Sequence, residues 1–145
     1  MSDQTISRDI ARQPHLLVSA DDYDRLMELA RSTAARYPAD DVQQLLDELY
    51  RADIVPPDWM PQGIVAMNSY VEFRNDCTGS IRRVQLVYPY SANISQGRIS
   101  VLSPVGAALI GLAEGQTIGW DTRNGQSRQL TVLRAGSKPF EDQNG

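Results

Sequence analysis

The chain has 145 residues, with 14 basic and 18 acidic side chains and a formal net charge of −4. This length suits one compact domain, or a small domain with a helical appendage. A negative chain does not suit nucleic-acid binding through bulk charge, so we expect no direct sequence-specific contact with nucleic acid. The single cysteine, Cys77, excludes an internal disulfide. The single histidine, His15, argues against most zinc sites and against Ser-His-Asp catalysis, unless His15 itself serves.

The chain has no sequence feature of a membrane or secreted protein. No apolar run approaches the ~20 residues that a membrane helix needs, and residues 1–18 contain no apolar leader segment. We therefore expect a cytoplasmic chain without membrane contact. Charge is uneven, because residues 1–60 carry twelve acids and six arginines, whereas residues 61–145 carry six acids and eight bases. This asymmetry predicts two segments with different surfaces.

The first predicted element is a helix that follows a flexible arm, residues 1–18. The apolar end of this arm, residues 16–18, is expected to pack on the body. Ser19, followed by an acid three residues on, resembles the start of a capping box and predicts the helix N-cap. Pro38 predicts that the helix ends near Arg36 or Tyr37. Such a helix is a rod of about 25 Å.

A second helix is predicted after Asp40 and Asp41 and before the Pro56-Pro57 pair. Its apolar residues follow helical spacing and form one stripe, Val42, Leu45, Leu46 and Leu49. The connection is short, so residues 19–55 are expected to form an antiparallel helical hairpin whose two apolar stripes cover each other. A proline-rich linker, residues 56–61, is expected to separate the hairpin core from the next domain.

After the linker the apolar period changes from 3.6 to 2, which predicts strands. The expected strands are centred on 65–73, 81–88, 99–102, 117–122 and 127–134. Ser103-Pro104 predicts the N-cap and first position of a short helix, and Asn124-Gly125 predicts a type I′ hairpin turn. The expected fold is α+β, with a helical hairpin followed by an antiparallel sheet domain over 62–138 that frays from residue 135 and a tail over 139–145.

Acidic clusters are the first candidates for chemistry. At the expected hairpin tip, Asp40 and Asp41 either cap the second helix or hold a Mg²⁺ ion; capping is the commoner use, and we adopt it. The trio Asp21, Asp22 and Asp24 fits the positive end of a helix dipole. A metal site there is disfavoured, because residues one to three apart do not all share one helix face.

The remaining reactive residue types give no catalytic arrangement. Cys77 lies in an expected turn with arginines nearby in sequence, but no catalytic partner accompanies it. His15 is expected to be solvated in the arm. Arg82 and Arg83 are adjacent in a strand and therefore point to opposite faces. No phosphate-binding glycine loop is present, so we expect no catalytic residue, no metal and no cofactor.

Three segments of the sequence resemble a known family. Residues 99–115, ISVLSPVGAALIGLAEG, resemble the C-terminal domain of the bacterial transcript-cleavage factors GreA and GreB. Residues 56–75, PPDWMPQGIVAMNSYVEFRN, and LVYP at 86–89 resemble the Rnk branch, the regulators of nucleoside diphosphate kinase. The resemblance covers about residues 19–138.

The resemblance implies an FKBP-like C-terminal domain, an N-terminal antiparallel coiled coil, and a monomer that binds RNA polymerase at the rim of its secondary channel. The docking edge that it implies consists of Leu102, Ser103, Pro104 and Val105. In Gre factors, acids at the tip of the coiled coil deliver Mg²⁺ for the polymerase's own cleavage of backtracked RNA. The corresponding acids here are Asp40 and Asp41. A rod of about 25 Å is far shorter than a Gre coiled coil, so we expect docking without cleavage, and contact with DNA only through the polymerase.

Other functions remain open at this point. One is a Gre-like cleavage factor, and another is an interaction module with a partner other than polymerase. The FKBP-like fold alone also suggests a peptidyl-prolyl isomerase, but fold does not imply function. Such an enzyme needs an aromatic-lined pocket, and Trp120 is the only aromatic residue between Ile99 and Arg134.

Overall fold

The structure is a computed structural model that describes residues 15–33, 37–121 and 125–140. Its N-terminal part contains a helical hairpin. Helix α1 spans Ala20–Thr33 and helix α2 spans Ala39–Arg51. Ser19 caps α1 as predicted, because its Oγ accepts the backbone N–H of Asp22 at 3.1 Å. The described part of α1 extends to Thr33, so its predicted end near Arg36 or Tyr37 is not tested. Residues 34–36 lie outside the described residues.

The start of α2 corrects the prediction that its acids cap it. Pro38 is the N-cap residue and makes no side-chain cap bond. Its carbonyl instead accepts the backbone N–H groups of Asp41 at 3.1 Å and Val42 at 3.3 Å. Asp40 and Asp41 thus lie inside the first turn, where the helix dipole favours negative charge.

The second part of the fold is a five-stranded sheet. Two short strands outside this sheet, β1 Leu17–Ser19 and β2 Asp53–Val55, precede it in the chain. The strands of the sheet are β3 Tyr70–Asn75, β4 Ile81–Val87, β5 Arg98–Ser100, β6 Thr117–Asp121 and β7 Ser127–Gly136, in the spatial order β5-β4-β3-β7-β6. A short helix, α3, spans Pro104–Leu109. The sheet is mainly antiparallel as predicted, but β5 pairs with β4 in parallel. The segment 88–97 returns along the sheet before β5 begins, which makes the two strands parallel.

The end of the predicted arm packs on the body, as expected for residues 16–18, but it also forms a strand that the sequence analysis did not predict. Strand β1, Leu17–Ser19, pairs in parallel with β2, Asp53–Val55. The side chains of Leu16 and Val18 are buried. The backbone N–H of Leu17 donates to the carbonyl of Gly111 at 3.1 Å, which ties β1 to the sheet domain. Residues 1–14 lie outside the described residues.

The hairpin and the sheet share one hydrophobic core, so the expectation of two separate cores is wrong. One cluster of buried side chains contains members of both parts, among them Leu26, Leu45, Leu49, Val71, Leu86, Leu109 and Leu130. The apolar stripe of α2 therefore faces the sheet domain as well as α1. The segment 56–61 connects the two parts, with a 3-10 helix over Pro57–Trp59, but it does not hold them apart.

Polar contacts also join the hairpin to the sheet domain. The Gln44 side chain in α2 donates to the carbonyl of Pro104 in α3 at 3.0 Å. The Asp22 carboxylate in α1 accepts the backbone N–H of Met67 at 3.1 Å. Burial raises the pKa of Asp22, although the Met67 hydrogen bond acts in the opposite direction. The hairpin is thus fixed on the sheet domain at both helices.

Two further predictions concern the C-terminal part of the chain. Ala135 is buried and Gly136 still pairs with Tyr70, so the predicted fraying is wrong for residues 135 and 136. The predicted turn at Asn124-Gly125 includes Asn124, which lies outside the described residues, as do residues 141–145. None of the described helices is long and apolar enough to cross a membrane.

Candidate functional site

The candidate docking edge is built on the N-terminus of α3. The Ser103 hydroxyl accepts the backbone N–H of Gly106 at 3.0 Å and donates to the carbonyl of Ser100 at 2.6 Å. Pro104 occupies the first helical turn, where its missing N–H costs no hydrogen bond. The predicted cap is thus confirmed. Ser103, Pro104 and Val105 are half-buried, and their exposed parts form the edge.

Leu102 has a different place from the other three predicted edge residues. Its side chain is only 2 % exposed and belongs to the core. The accessible part of the edge therefore begins at Ser103, and Leu102 supports it from inside.

Gly106 is a positioning residue of this edge that the sequence reasoning missed. A Cβ atom at Gly106 would overlap the Ser100 carbonyl oxygen and lie 2.9 Å from the carbonyl carbon. It would also lie 3.0 Å from the Ser103 Oγ. Only glycine lets α3 approach the end of β5 this closely. The glycine two residues after Ser103-Pro104 is a sequence feature that could have indicated such an approach.

The two acids at the start of α2 differ in exposure. Asp40 is exposed, whereas Asp41 is 6 % exposed. Gln44, which contacts Pro104, lies only three and four residues after them, which is about one helical turn or ~5 Å along the axis. The acids therefore lie beside the candidate docking edge and do not extend far from it.

The acidic residues near the start of α1 differ in exposure and in hydrogen bonding. Asp21 and Asp22 are in the first turn, as the dipole argument predicts. Asp21 and Asp24 are exposed, and Asp22 bonds to the Met67 backbone. The structure does not bring the three carboxylates together. Among the described residues, no group of three or more His, Cys, Asp and Glu side chains could hold a metal ion.

The lone histidine and the lone cysteine are both at the surface. His15 is exposed as predicted, but its ring also contacts the carboxylate of Asp53. Cys77 is exposed and is not in a disulfide. Its turn is held by Asn75, whose side-chain oxygen accepts the Cys77 N–H at 2.9 Å.

The predicted separation of the two adjacent arginines is confirmed. Arg83 donates to the Glu72 carboxylate at 2.7 Å, whereas Arg82 lies over the Phe73 ring at 5.9 Å. Arg134 donates to the same carboxylate at 3.0 Å. Hydrogen bonds from Arg134 and then from Arg83 hold the pKa of Glu72 below its usual value. This network stabilises the outer face of the sheet and positions no reactive group.

A cavity of about 550 Å³ lies between residues 57–64 and the end of β7. Among the described residues, it is lined by prolines, Met60, Ile64, small polar residues and Lys138, and by no aromatic side chain. The aromatic-lined pocket that an isomerase requires is therefore not this cavity.

Comparison with known proteins agrees with the two parts of the fold. A family profile described as "Rnk N-terminus" matches residues 14–55. A second profile, described as "Transcription elongation factor, GreA/GreB, C-term", matches residues 60–136. Together they define a GreA/GreB-type C-terminal domain preceded by an Rnk-type helical hairpin.

Individual relatives give the same result. The chain is 38 % identical over 128 residues to "Regulator of nucleoside diphosphate kinase" of Escherichia coli (strain K12), covering 88 % of this chain and 93 % of the relative. It is 37 % identical over 92 residues to "Transcription elongation factor GreA" of Syntrophobacter fumaroxidans, covering 63 % of this chain and 58 % of that protein. A solved structure, "Prokaryotic transcription elongation factor GreA/GreB from Nitrosomonas europaea", matches with a TM-score of 0.65 and 34 % identity, covering 86 % and 99 % of the two chains. The chain belongs to the Rnk family, a branch of the GreA/GreB-like transcription factors.

Proposed function

We propose that this protein is a non-catalytic regulator that binds bacterial RNA polymerase at the rim of the secondary channel and does not stimulate transcript cleavage. Family membership supports polymerase as the partner, because the Gre factors that the sequence resembles act on that enzyme. A polymerase partner would place the protein in the bacterial cytoplasm. An effect on nucleoside diphosphate kinase is suggested only by the name of the relatives, and no residue described above explains it.

The observation that carries this proposal is the position of the hairpin acids. The contact between Gln44 and Pro104 fixes α2 against the docking edge, about one helical turn from Asp40 and Asp41. Helices of 14 and 13 residues are only about 20 Å long. A protein docked through Ser103 and Pro104 would therefore keep its acids near the channel rim, too far out to deliver Mg²⁺ to the polymerase centre.

This geometry favours an excluding role. The edge at α3 would hold the protein on the polymerase, and the short hairpin would occupy the channel mouth. A Gre factor with a longer coiled coil needs the same entrance. Binding of this protein would therefore compete with Gre factors without replacing their activity.

The first prediction concerns transcript cleavage. Backtracked polymerase complexes incubated with this protein are expected to yield no shortened RNA above background. In the proposed docking Asp40 would lie too far from the polymerase centre, and Asp41 is buried. A GreA protein in parallel reactions supplies the positive control. Cleavage that Asp40→Asn or Asp41→Asn abolishes would contradict the proposal and restore the Gre-like alternative.

The second prediction concerns the docking edge. Pro104→Glu is expected to weaken binding to core polymerase about tenfold, because it places a charge in the contact. Folding should be retained, since glutamate is favourable in the first turn of a helix. Pro57→Glu is the matched control, because it makes the same change at the first position of an exposed 3-10 helix. A folded Pro104→Glu variant with the parent's affinity would refute docking through this edge.

The remaining alternative is an interaction module that binds a partner other than polymerase. Two binding experiments test it. The unmodified protein immobilised in bacterial extract is expected to retain polymerase subunits. Purified core polymerase must then bind the protein directly. Failure of that direct binding would contradict the proposed function.

A further inference from the structure

The connection between β4 and β5 is a rigid loop. It contains two 3-10 helices, Pro89–Ser91 and Ile94–Gln96. The backbones of Asn93 and Arg98 exchange two hydrogen bonds, at 2.9 and 3.0 Å, and the Arg98 side chain donates to the carbonyl of Ser91 at 3.0 Å. These bonds close the loop on itself and hold its backbone in place.

Tyr90 projects from this loop into solvent. Its side chain is 84 % exposed, although its ring stacks on that of the buried Tyr88, with 5.8 Å between ring centroids and 1° between planes. A large aromatic side chain on a rigid support loses little conformational entropy on binding. Such residues are typical anchors of protein interfaces.

Tyr90 lies at the same end of the sheet as the docking edge. Strands β4 and β5 run parallel with Val87 opposite Ser100, and the Val101 N–H donates to the Val87 carbonyl at 2.9 Å. Tyr90 is three residues beyond Val87, and Ser103 is three residues beyond Ser100. Both therefore emerge from the same ends of neighbouring strands.

The Tyr90 side chain carries no charge and is largely exposed. The nearby Arg98 guanidinium is engaged with the Ser91 carbonyl of the same loop. Tyr90 therefore presents mainly apolar ring surface. Binding through it should depend on desolvation and hardly on ionic strength.

We propose that Tyr90 is an aromatic anchor of the docking surface and inserts into an apolar socket on RNA polymerase beside the contact made by Ser103 and Pro104. This inference rests on the proposed function, because it names a further contact of that same surface. The proposed contact at Tyr90 differs in chemistry from the docking edge, because it depends on an aromatic ring and not on a helix terminus.

The test compares three variants for affinity to purified core polymerase. Tyr90→Ser is expected to weaken binding about tenfold, equally at low and high salt, because it removes the ring. Tyr90→Phe keeps the ring and is expected to stay within about twofold of the parent. Ile81→Ser is the matched control, because Ile81 is 57 % exposed at the opposite end of β4 and should leave binding unchanged.

The outcomes separate this inference from the proposed function. Absence of polymerase binding by the parent protein would overturn both. Parent-like affinity of Tyr90→Ser, together with weakened binding by Pro104→Glu, would overturn the anchor alone. Equal weakening by Tyr90→Ser and Ile81→Ser would also overturn it, because loss of any exposed apolar group would then suffice. Thermal unfolding of each variant confirms that the fold is intact.

Discussion

Replacing Leu45 by alanine is expected to lower the free energy of unfolding by about 2–5 kcal/mol. Leu45 has no exposed surface and belongs to the cluster shared by the hairpin and the sheet domain. Removing its side chain leaves a cavity in that shared core. Both parts of the protein should therefore lose stability together, in one cooperative transition.

Denaturant unfolding of Leu45→Ala, followed by circular dichroism for the helices and by amide exchange for β3, measures this directly. Leu46→Ala is the control, because the neighbouring Leu46 is only half-buried and should cost clearly less. An early helical transition that leaves amide protection in β3 unchanged would contradict a shared core.

Replacing Gly106 by alanine is expected to lower the free energy of unfolding by roughly 2 kcal/mol, although alanine is the better helix former. The propensity gain is about 1 kcal/mol. The added Cβ would overlap the Ser100 carbonyl, which is backbone and cannot rotate away. Overpacking typically costs about 1–3 kcal/mol or more. An overlap with a backbone carbonyl belongs at the upper end of that range, about 3 kcal/mol, so the net loss is about 2 kcal/mol.

The same substitution should move α3 away from β5 and disturb the Ser103 cap. Affinity of the folded Gly106→Ala variant for polymerase is therefore expected to fall as well. Gly136→Ala is the matched control, because a Cβ there meets no atom within 4 Å, and its stability should change by less than about 0.5 kcal/mol. A Gly106→Ala variant as stable as the parent would show that the approach of α3 to Ser100 is not tight.

Features that depend on nearby residues were predictable from the sequence. Ser19 and Ser103 cap helices as expected, because a cap requires only a side-chain oxygen and an N–H two or three residues away. The alternating residues Val71 and Phe73 are buried as expected, because strand geometry fixes which face each side chain occupies.

Features that depend on distant residues were not predictable in the same way. The parallel pairing of β4 and β5 depends on the path of the whole loop between them. The packing of the hairpin on the sheet domain depends on contacts such as Gln44 with Pro104, 60 residues apart. The buried stripe of α2 did indicate an apolar partner, but periodicity does not identify that partner.

In the candidate site, too, local features were predictable from the sequence and long-range features were not. The motif at Ser103-Pro104 predicted the cap and the helix start, whereas the burial of Leu102 and the close approach at Gly106 appear only in three dimensions. The acids Asp40 and Asp41 were evident in the sequence. Their position one turn from the docking edge follows from the contact of Gln44 with α3.

The most direct test of the proposed function is displacement of a labelled GreA protein from purified core polymerase by the unmodified chain. If the docking edge and the short hairpin occupy the channel mouth, increasing concentrations of this protein should release the labelled GreA completely, and the reverse titration should give the same competition. A ternary complex in which both proteins remain bound to one polymerase would contradict the proposal.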